Sequence, residues 1–299
     1  MYPKVSIIIL NWNGLEDTIE CLDSLKKVTY PNYSVIVVDN GSKGNDVELL
    51  KARFGDYIKT IENDKNYGFA EGNNIGMRYA LDNLDPNHVL LLNNDTVVDP
   101  EFLTELIKVS VSDPLIGIAG PKVYWYDEPA KLQSTGATIN WYTGKTTLIG
   151  CDEIDHGQFD HMKDVNWVIG CCLLIERTVV EKIGLLMPAY FAYFEEAEWC
   201  TRCQKAGYRV VYVPNARLWH KCARTTARTD GIRLYYMTRN RFLFMKRNST
   251  RLQFTYFFAR FFLRDFFFTT MSLLILQRDS KKLREFYKGI RDGVGLTFS

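Results

Sequence analysis

Over the first 120 residues, short apolar runs rich in Val, Ile and Leu alternate with stretches in which apolar residues recur at helical spacing. That alternation constrains the fold more than any other feature of the chain. Val5–Leu10, interrupted only by Ser6, suits a strand buried on both faces of a parallel sheet. Leu15, Ile19, Leu22 and Leu25 then follow one helical face. The same pattern predicts strands over 34–39, 57–61, 88–92 and 116–119, with helices over 15–27, 45–54, 70–84 and 101–111. The order is βαβα, so the expected fold class is α/β, an open and mostly parallel sheet flanked by helices.

In such sheets, ligands bind beyond the carboxyl ends of the strands. Asn11-Trp12-Asn13-Gly14 follows the first strand, Asp39-Asn40-Gly41-Ser42 closes the second, and Asn93-Asn94-Asp95 ends the fourth. Any one of these clusters could be turn chemistry. Three on one edge point to a polar ligand. A dehydrogenase-type dinucleotide turn needs G-x-G-x-x-G, and Asn11–Thr18 holds one glycine. The sequence Gly144-Lys145-Thr146 has Ile139 where a phosphate loop needs glycine, so ATPase or kinase chemistry is unsupported.

Asp95, at the end of an apolar strand, is placed to hold a hard divalent cation, which in turn can neutralise a diphosphate. Glu195-Glu196-Ala197-Glu198 follows the aromatic stretch Tyr190–Phe194. Carboxyls in aromatic surroundings gain proton affinity, the condition for a general base. The alternative reading is an acidic first helical turn, favoured by the helix dipole.

Taken in order, VSIIILNWNG (5–14), VVDNGS (37–42), NYGFAEGNNIG (66–76), LLLNNDTVVDP (90–100), GCCLLIERTVVEKIG (170–184) and YFEEAEWCTR (193–202) resemble the family 2 glycosyltransferases of GT-A fold. The rhamnosyltransferase-like branch is the most similar, and the match continues through Trp219-His220 and Tyr235–Asn240 to about residue 247. The resemblance implies that Asp39 hydrogen-bonds the nucleotide base. It implies that Asn11 and Asn13 lie near base and ribose, and that Asn66, Gly68, Asn74 and Asn94 line the nucleotide-sugar site. Asp95 is the implied ligand of Mg²⁺ or Mn²⁺ on the diphosphate, joined by His220. The family's acidic pair usually reads Glu-Asp, the second residue being the catalytic base. Here it reads Glu195-Glu196, which implies Glu196 as base of an inverting displacement and leaves Glu198 open as the alternative. Asn93 stands where the family commonly has Asp, so the metal should lean on Asp95, His220 and the diphosphate.

Residues 121–175 read as a meander, with a strand near 166–176, a helix at 178–183, a helix from the acidic segment to about 206, and a strand at 209–213. Cys200-x-x-Cys203 with His220-x-Cys222 has the residue types of a zinc site or of buried packing. Trp125, Tyr126, Trp141 and Tyr142 fit either sugar platforms or core. Seven cysteines, odd in number and irregularly spaced, suit a reducing compartment, and Val5–Leu10 is too short for the core of a signal peptide.

Charge divides the chain: residues 1–220 carry 20 Lys/Arg and 30 Asp/Glu, whereas 221–299 carry 17 and 5. Residues 254–276 hold eight phenylalanines, yet the longest uncharged run there, Phe266–Gln277, has 12 residues, short of the roughly 20 that span a bilayer. A basic aromatic helix of this kind suits a membrane interface; packing on the domain or a homodimer contact is the alternative. The expectation is therefore a GT-A catalytic domain over 1–248 and an amphipathic helical extension over 249–299. It would transfer a sugar from a nucleotide-diphosphate donor to a glycan or lipid-linked acceptor, from the cytoplasmic face of the membrane. A non-catalytic nucleotide-sugar or carbohydrate binder on the same fold is the rival. No nucleic-acid motif accompanies the basic tail.

Overall fold

A computed structural model describes residues 2–222 and 230–295. The chain divides into two compact units. The first comprises Met1–Thr138, Leu148–Phe191 and Glu195–Lys221; the second comprises Ile139–Thr147, Ala192–Phe194 and Cys222–Ser299.

The first unit alternates strand and helix: β1 (Val5–Asn11), α1 (Leu15–Leu25), β2 (Tyr33–Asp39), α2 (Asp46–Phe54), β3 (Ile58–Glu62), α3 (Gly68–Asn83) and β4 (His88–Asn93). A short β5 (Thr96–Val98), α4 (Phe102–Ser110), β6 (Ile116–Trp125) and β7 (Leu132–Ser134) follow. The hairpin strands β8 (Ala137–Asn140) and β9 (Lys145–Leu148) come next in the chain, Ile139–Thr147 of them belonging to the second unit; the first unit resumes with β10 (Lys163–Asp164), β11 (Cys172–Glu176), α5 (Arg177–Ile183), α6 (Glu195–Lys205) and β12 (Arg209–His220). The large sheet has the order β10-β12-β6-β11-β4-β1-β2-β3, with β5 added to β12 and β7 to β6. β1 pairs in parallel with β2 and β4, and β11 enters antiparallel between β4 and β6. The expected mostly parallel α/β sheet is present.

Both faces of β1 are buried, as its unbroken apolar run requires. Val5, Ile7 and Ile9 join the main core with Leu22 and Leu25 of α1. On the other face α3 lies close, because a Cβ on Gly72 or Gly76 would stand 2.6 Å from Leu10 and 2.5 Å from Ile8.

Three strands differ from the sequence expectation. β6 runs on to Trp125 instead of ending at 119, since Gly120 and Pro121 interrupt the apolar signal but not the strand. Gly120 is needed there: a Cβ would meet Val168 at 2.5 Å. β11 starts at Cys172, because Trp167 bridges to Ala137 instead of extending that strand. β12 continues past Val213 to His220 through a register shift between Val213 and Arg217, which accommodates Pro214.

The second unit holds the 140–145 turn and α7 (Asp230–Asn248), α8 (Arg251–Arg260), α9 (Phe266–Met271) and α10 (Ser280–Gly295), with π-helical turns over Phe261–Asp265 and Ser272–Leu276. α10 packs on α7 through small residues: a Cβ on Gly289 would lie 2.7 Å from the Tyr235 carbonyl. Phe242 of α7 meets the rings of Phe257 and Phe261, and Thr250 with Gln253 forms a capping box on α8. No described helix is long and apolar enough to cross a membrane.

Candidate active site

The carboxyl ends of β1, β2 and β4 converge, and the asparagine at the end of β1 fastens them. Asn11 is fully buried, and its Nδ2 donates to Asp39 Oδ1 at 2.8 Å, Asp46 Oδ2 at 3.0 Å and Ser42 Oγ at 3.3 Å. Its Oδ1 accepts from Thr18 Oγ1 at 2.9 Å and from the Gly14 amide at 3.2 Å. Asn11 thus spends its side chain on other protein groups. Asp39 Oδ2 accepts the Ser42 amide at 2.9 Å, which fixes the carboxylate at the strand end. Asn13, exposed at φ 52°, accepts the Lys43 amide at 2.7 Å and so clips the two loops together. Asn94 Nδ2 donates to Thr18 Oγ1 at 2.9 Å, tying the end of β4 to α1.

Asn40, which the sequence places at the ligand edge without an individual role, organises the entry to α3. Its Nδ2 donates to Asn66 Oδ1 at 3.0 Å and to the Gly68 carbonyl at 3.1 Å, while its Oδ1 accepts from Asn63 and the Tyr67 amide, each at 3.1 Å. Gly68 has φ 81°, and a Cβ there would meet Phe191 at 2.6 Å. The Phe191 carbonyl in turn accepts the Phe69 and Ala70 amides at the start of α3. Asn74 is buried on α3, where its Nδ2 donates to the Leu186 carbonyl at 2.8 Å and to Glu71 Oε2 at 3.0 Å.

Pairing of β5 with the end of β12 aligns Thr96 with His220 and so brings Asp95 and His220 together from 125 positions apart. His220 Nε2 lies 3.1 Å from Asp95 Oδ1, and its Nδ1 lies 2.7 Å from Gln133 Oε1. Burial alone would strip the imidazole of its proton; Cys171 and Asp95 beside it reverse that and raise it to about 10. Lys221 reinforces the junction. Its amide donates to the Asp95 carbonyl at 3.0 Å, and its ammonium reaches Asp17 at 2.6 Å and Glu20 at 2.5 Å on α1. Gln133 and Lys221 gave no sequence signal, because what they do depends on strand pairing.

The acidic cluster opens α6, directly after a strained approach in which Phe191, Tyr193 and Phe194 all have positive φ (64°, 70° and 74°). Non-glycine residues in that region carry strain that surrounding structure must hold, and it concentrates at functional sites. Glu195 is buried. Burial, and then the charge of Glu196, hold its carboxyl well above the usual carboxylate range. Glu198 is 1% exposed and engaged: Arg202 Nε donates to both of its oxygens at 2.9 Å, and the rest of that guanidinium binds the Ile183 and Leu185 carbonyls. Glu196 is half-buried and passes over Gly170, whose missing Cβ would lie 3.6 Å from its side chain. Because the Asn93 amide donates to the Cys171 carbonyl, Gly170 lies beside the end of β4. Glu196 therefore belongs to the same sheet edge as Asp95.

Among the described residues, no three His, Cys, Asp or Glu side chains form a metal cluster. Cys200 and Cys203 are fully buried, and Cys203 packs against Gly117, so these cysteines are core. Trp141 stacks on Phe244 in the second unit, whereas Tyr142 is exposed. Trp125 donates to Asp152 and Tyr126 to Glu20.

Comparison with known proteins identifies the family and the fold. The family described as "Glycosyltransferase like family 2" matches residues 3–241. A hexosyltransferase of low-salt glycan biosynthesis, Agl10 of Haloferax volcanii, is 30% identical over 264 residues, 85% of this chain and 81% of that one. An N-acetylglucosaminyl-diphospho-decaprenol L-rhamnosyltransferase of Mycobacterium tuberculosis is 25% identical over 244 residues, 75% of this chain and 78% of that one. Among solved structures, the mannosyltransferase PcManGT from Pyrobaculum calidifontis, in complex with GDP-Man and Mn²⁺, superposes with a TM-score of 0.59 at 14% identity, over 98% of this chain and 86% of that one. The chain belongs to the family 2 glycosyltransferases, in their rhamnosyltransferase-like branch, and is a glycosyltransferase built on the GT-A fold.

Proposed function

We propose that the enzyme moves a hexosyl group from a nucleoside-diphosphate donor to a hydroxyl of a glycan or lipid-linked acceptor, with inversion, in the synthesis of cell-surface glycans. The observation that carries this reading is the meeting at one sheet edge of the Asp95–His220 pair and Glu196, with Asp39 fixed at the neighbouring strand end. The relatives' names agree, one in glycan biosynthesis and one acting on a diphospho-lipid.

Asp39, Asn13 and the Asn66–Gly68 loop bind the nucleoside in this proposal, with Asn11 and Asn40 setting their positions. Asp95 and His220, 3.1 Å apart, are the residues that would hold a divalent cation such as Mg²⁺ or Mn²⁺, the imidazole giving up its proton as the metal binds. The carboxylate of Asp95 suits Mg²⁺ or Mn²⁺. Such a cation, when bound, neutralises charge on the departing diphosphate. Glu196 accepts the proton of the acceptor hydroxyl as its oxygen bonds to the anomeric carbon; the electron pair of the old glycosidic bond leaves with the nucleoside diphosphate. Glu195 next to it, its proton affinity raised by burial and then by the charge of Glu196, resists adding a second negative charge beside the base.

We also propose that the apolar residues exposed along 263–274 rest on the cytoplasmic leaflet, where a lipid-linked acceptor would be presented. The test of the catalytic reading is donor turnover across a panel of UDP-, GDP- and dTDP-hexoses, with and without EDTA. One donor should stand out, and EDTA or Asp95→Ala should remove its turnover. Full turnover in excess EDTA overturns the metal assignment, and silence across the whole panel overturns the donor class.

A further inference from the structure

Within the second unit, α7, the β8–β9 turn and the stretch 261–269 enclose a hollow of about 490 Å³. Three cations border it, Lys145, Arg241 and Arg264, against one carboxylate, Asp265. Asp265 is already committed. Its Oδ2 lies 2.8 Å from Arg241, and Arg260 reaches both of its oxygens at 3.2 Å. Lys145 and Arg264 are exposed; the charge of Lys145 is felt by Asp265 without direct pairing, and Arg264 has no ion-pair partner among the described residues. The hollow therefore keeps a positive surplus.

Its remaining walls are apolar, including Phe194, Leu234, Met237, Phe261 and Phe268. Leu234, Met237 and Phe268 also line an adjoining hollow of about 510 Å³ that reaches Leu273. Phe268, shared by both, is 70% exposed. The apolar path thus leads from the cations along the outer side of the unit.

An occupant must satisfy both halves. A free phosphate would answer the cations and leave the phenyl walls wet. A neutral hydrocarbon would cover the walls and leave the charge unanswered. Guanidinium and ammonium groups are strong phosphate partners, and pockets of this size take small ligands. We infer that the hollow seats the phosphate-bearing head and proximal chain of a lipid-linked acceptor, with Lys145 and Arg264 on the phosphates and the chain running past Phe268 toward Leu273. The word acceptor rests on the glycosyltransferase reading above; the lipid-phosphate chemistry does not.

The test uses the full chain, in EDTA so that no cation holds pyrophosphate in the donor cleft. It is titrated with farnesyl diphosphate, a soluble short-chain lipid diphosphate, and separately with pyrophosphate and with farnesol. Farnesyl diphosphate should bind at least tenfold tighter than either part. The Lys145→Gln/Arg264→Gln variant, altered at two exposed side chains, should lose at least tenfold, while Arg264→Lys should keep most of the affinity. The inference is overturned by equal affinity for pyrophosphate, by an unchanged double variant, or by an equal loss in Arg278→Gln/Lys281→Gln, which lies outside the hollow. Equal affinity for a soluble, monomeric short-chain phosphatidylglycerol would also overturn it, by making bulk lipid the occupant. Nucleotide-sugar binding by the unaltered chain, read in parallel with Mn²⁺ present, separates the two readings: its failure removes the glycosyltransferase reading and leaves the lipid-phosphate site standing.

Discussion

Glu195, Glu196 and Glu198 are near neighbours with three different environments, and those environments set their chemistry. Glu198 is consumed by Arg202, so Glu198→Gln should act first on stability, costing about 1–3 kcal/mol by weakening a buried charged hydrogen bond. Glu196→Gln should instead lower kcat by roughly 10²–10⁴-fold with donor affinity unchanged, the usual worth of a general base. The reverse pattern, a large kcat loss at Glu198 and a small one at Glu196, would move the base one helical step. Glu195 offers a pH test. Its carboxyl binds its proton more tightly folded than unfolded, since burial and then Glu196 raise its proton affinity. The stability this provides is complete below the unfolded value of about 4.3 and is lost as pH rises through the higher folded value. Glu195→Gln, which cannot ionise, should therefore match the unaltered chain at pH 4 and melt at higher temperature as pH rises to 8. A gap in Tm that stays constant with pH, or opens only on acidification, would contradict the assignment.

At the scale of elements, the side chain of Asn40 ties the end of β2 to the start of α3. Asn40→Ala would leave the Gly68 carbonyl and the Tyr67 amide without their partner, at a cost of about 1–3 kcal/mol. The loop at Asn66 would loosen with it, so we expect KM for the donor to rise several-fold while kcat holds. Urea unfolding and steady-state kinetics check both halves, and an unchanged KM would exclude the loop from donor binding. This connection also marks how far the sequence could be read. β1, β2 and β4 were legible, because unbroken Val/Ile/Leu runs ending in Asn, Asp and Gly leave few alternatives. β6 and β12 were read too short, since Gly120-Pro121 and Pro214 look like strand ends until neighbouring strands are known to accommodate them. The polar residues of the cleft could be named from their motifs, but not their division of labour. Nothing local says that Asn11 is saturated by Asp39, Asp46 and Thr18, or that β5 aligns Asp95 with His220. Those facts are made by pairing between distant segments.

At the scale of the whole molecule, the charge division acquires a physical reading from what the second unit exposes. Leu263, Phe267, Met271 and Leu274, spaced four, four and three apart, are 78%, 58%, 51% and 54% exposed. That spacing is one helical face, and Arg260, Arg264, Arg278, Lys281 and Lys282 flank it. Each cation close to an anionic leaflet adds about 1 kcal/mol of attraction, screened by salt, and each buried methylene about 0.8 kcal/mol. Confinement of enzyme and lipid-linked acceptor to one surface would then raise their encounter rate without any change at the cleft. Removal of everything after Asn248 is a poor test, since it strips the rings of Phe257 and Phe261 from Phe242 and α10 from α7. Substitution in the full chain is cleaner: Leu263→Asp/Phe267→Asp/Leu274→Asp alters exposed side chains and should leave the melting temperature within a few degrees. The unaltered chain should float with phosphatidylglycerol vesicles at low salt, less so at high salt, and hardly at all with phosphatidylcholine; the triple variant should remain at the bottom in every case. Equal flotation of both chains, or of neither, removes the membrane role. If sedimentation also finds a dimer in the unaltered chain that the same three aspartates dissociate, the apolar face is a contact between two copies of the enzyme.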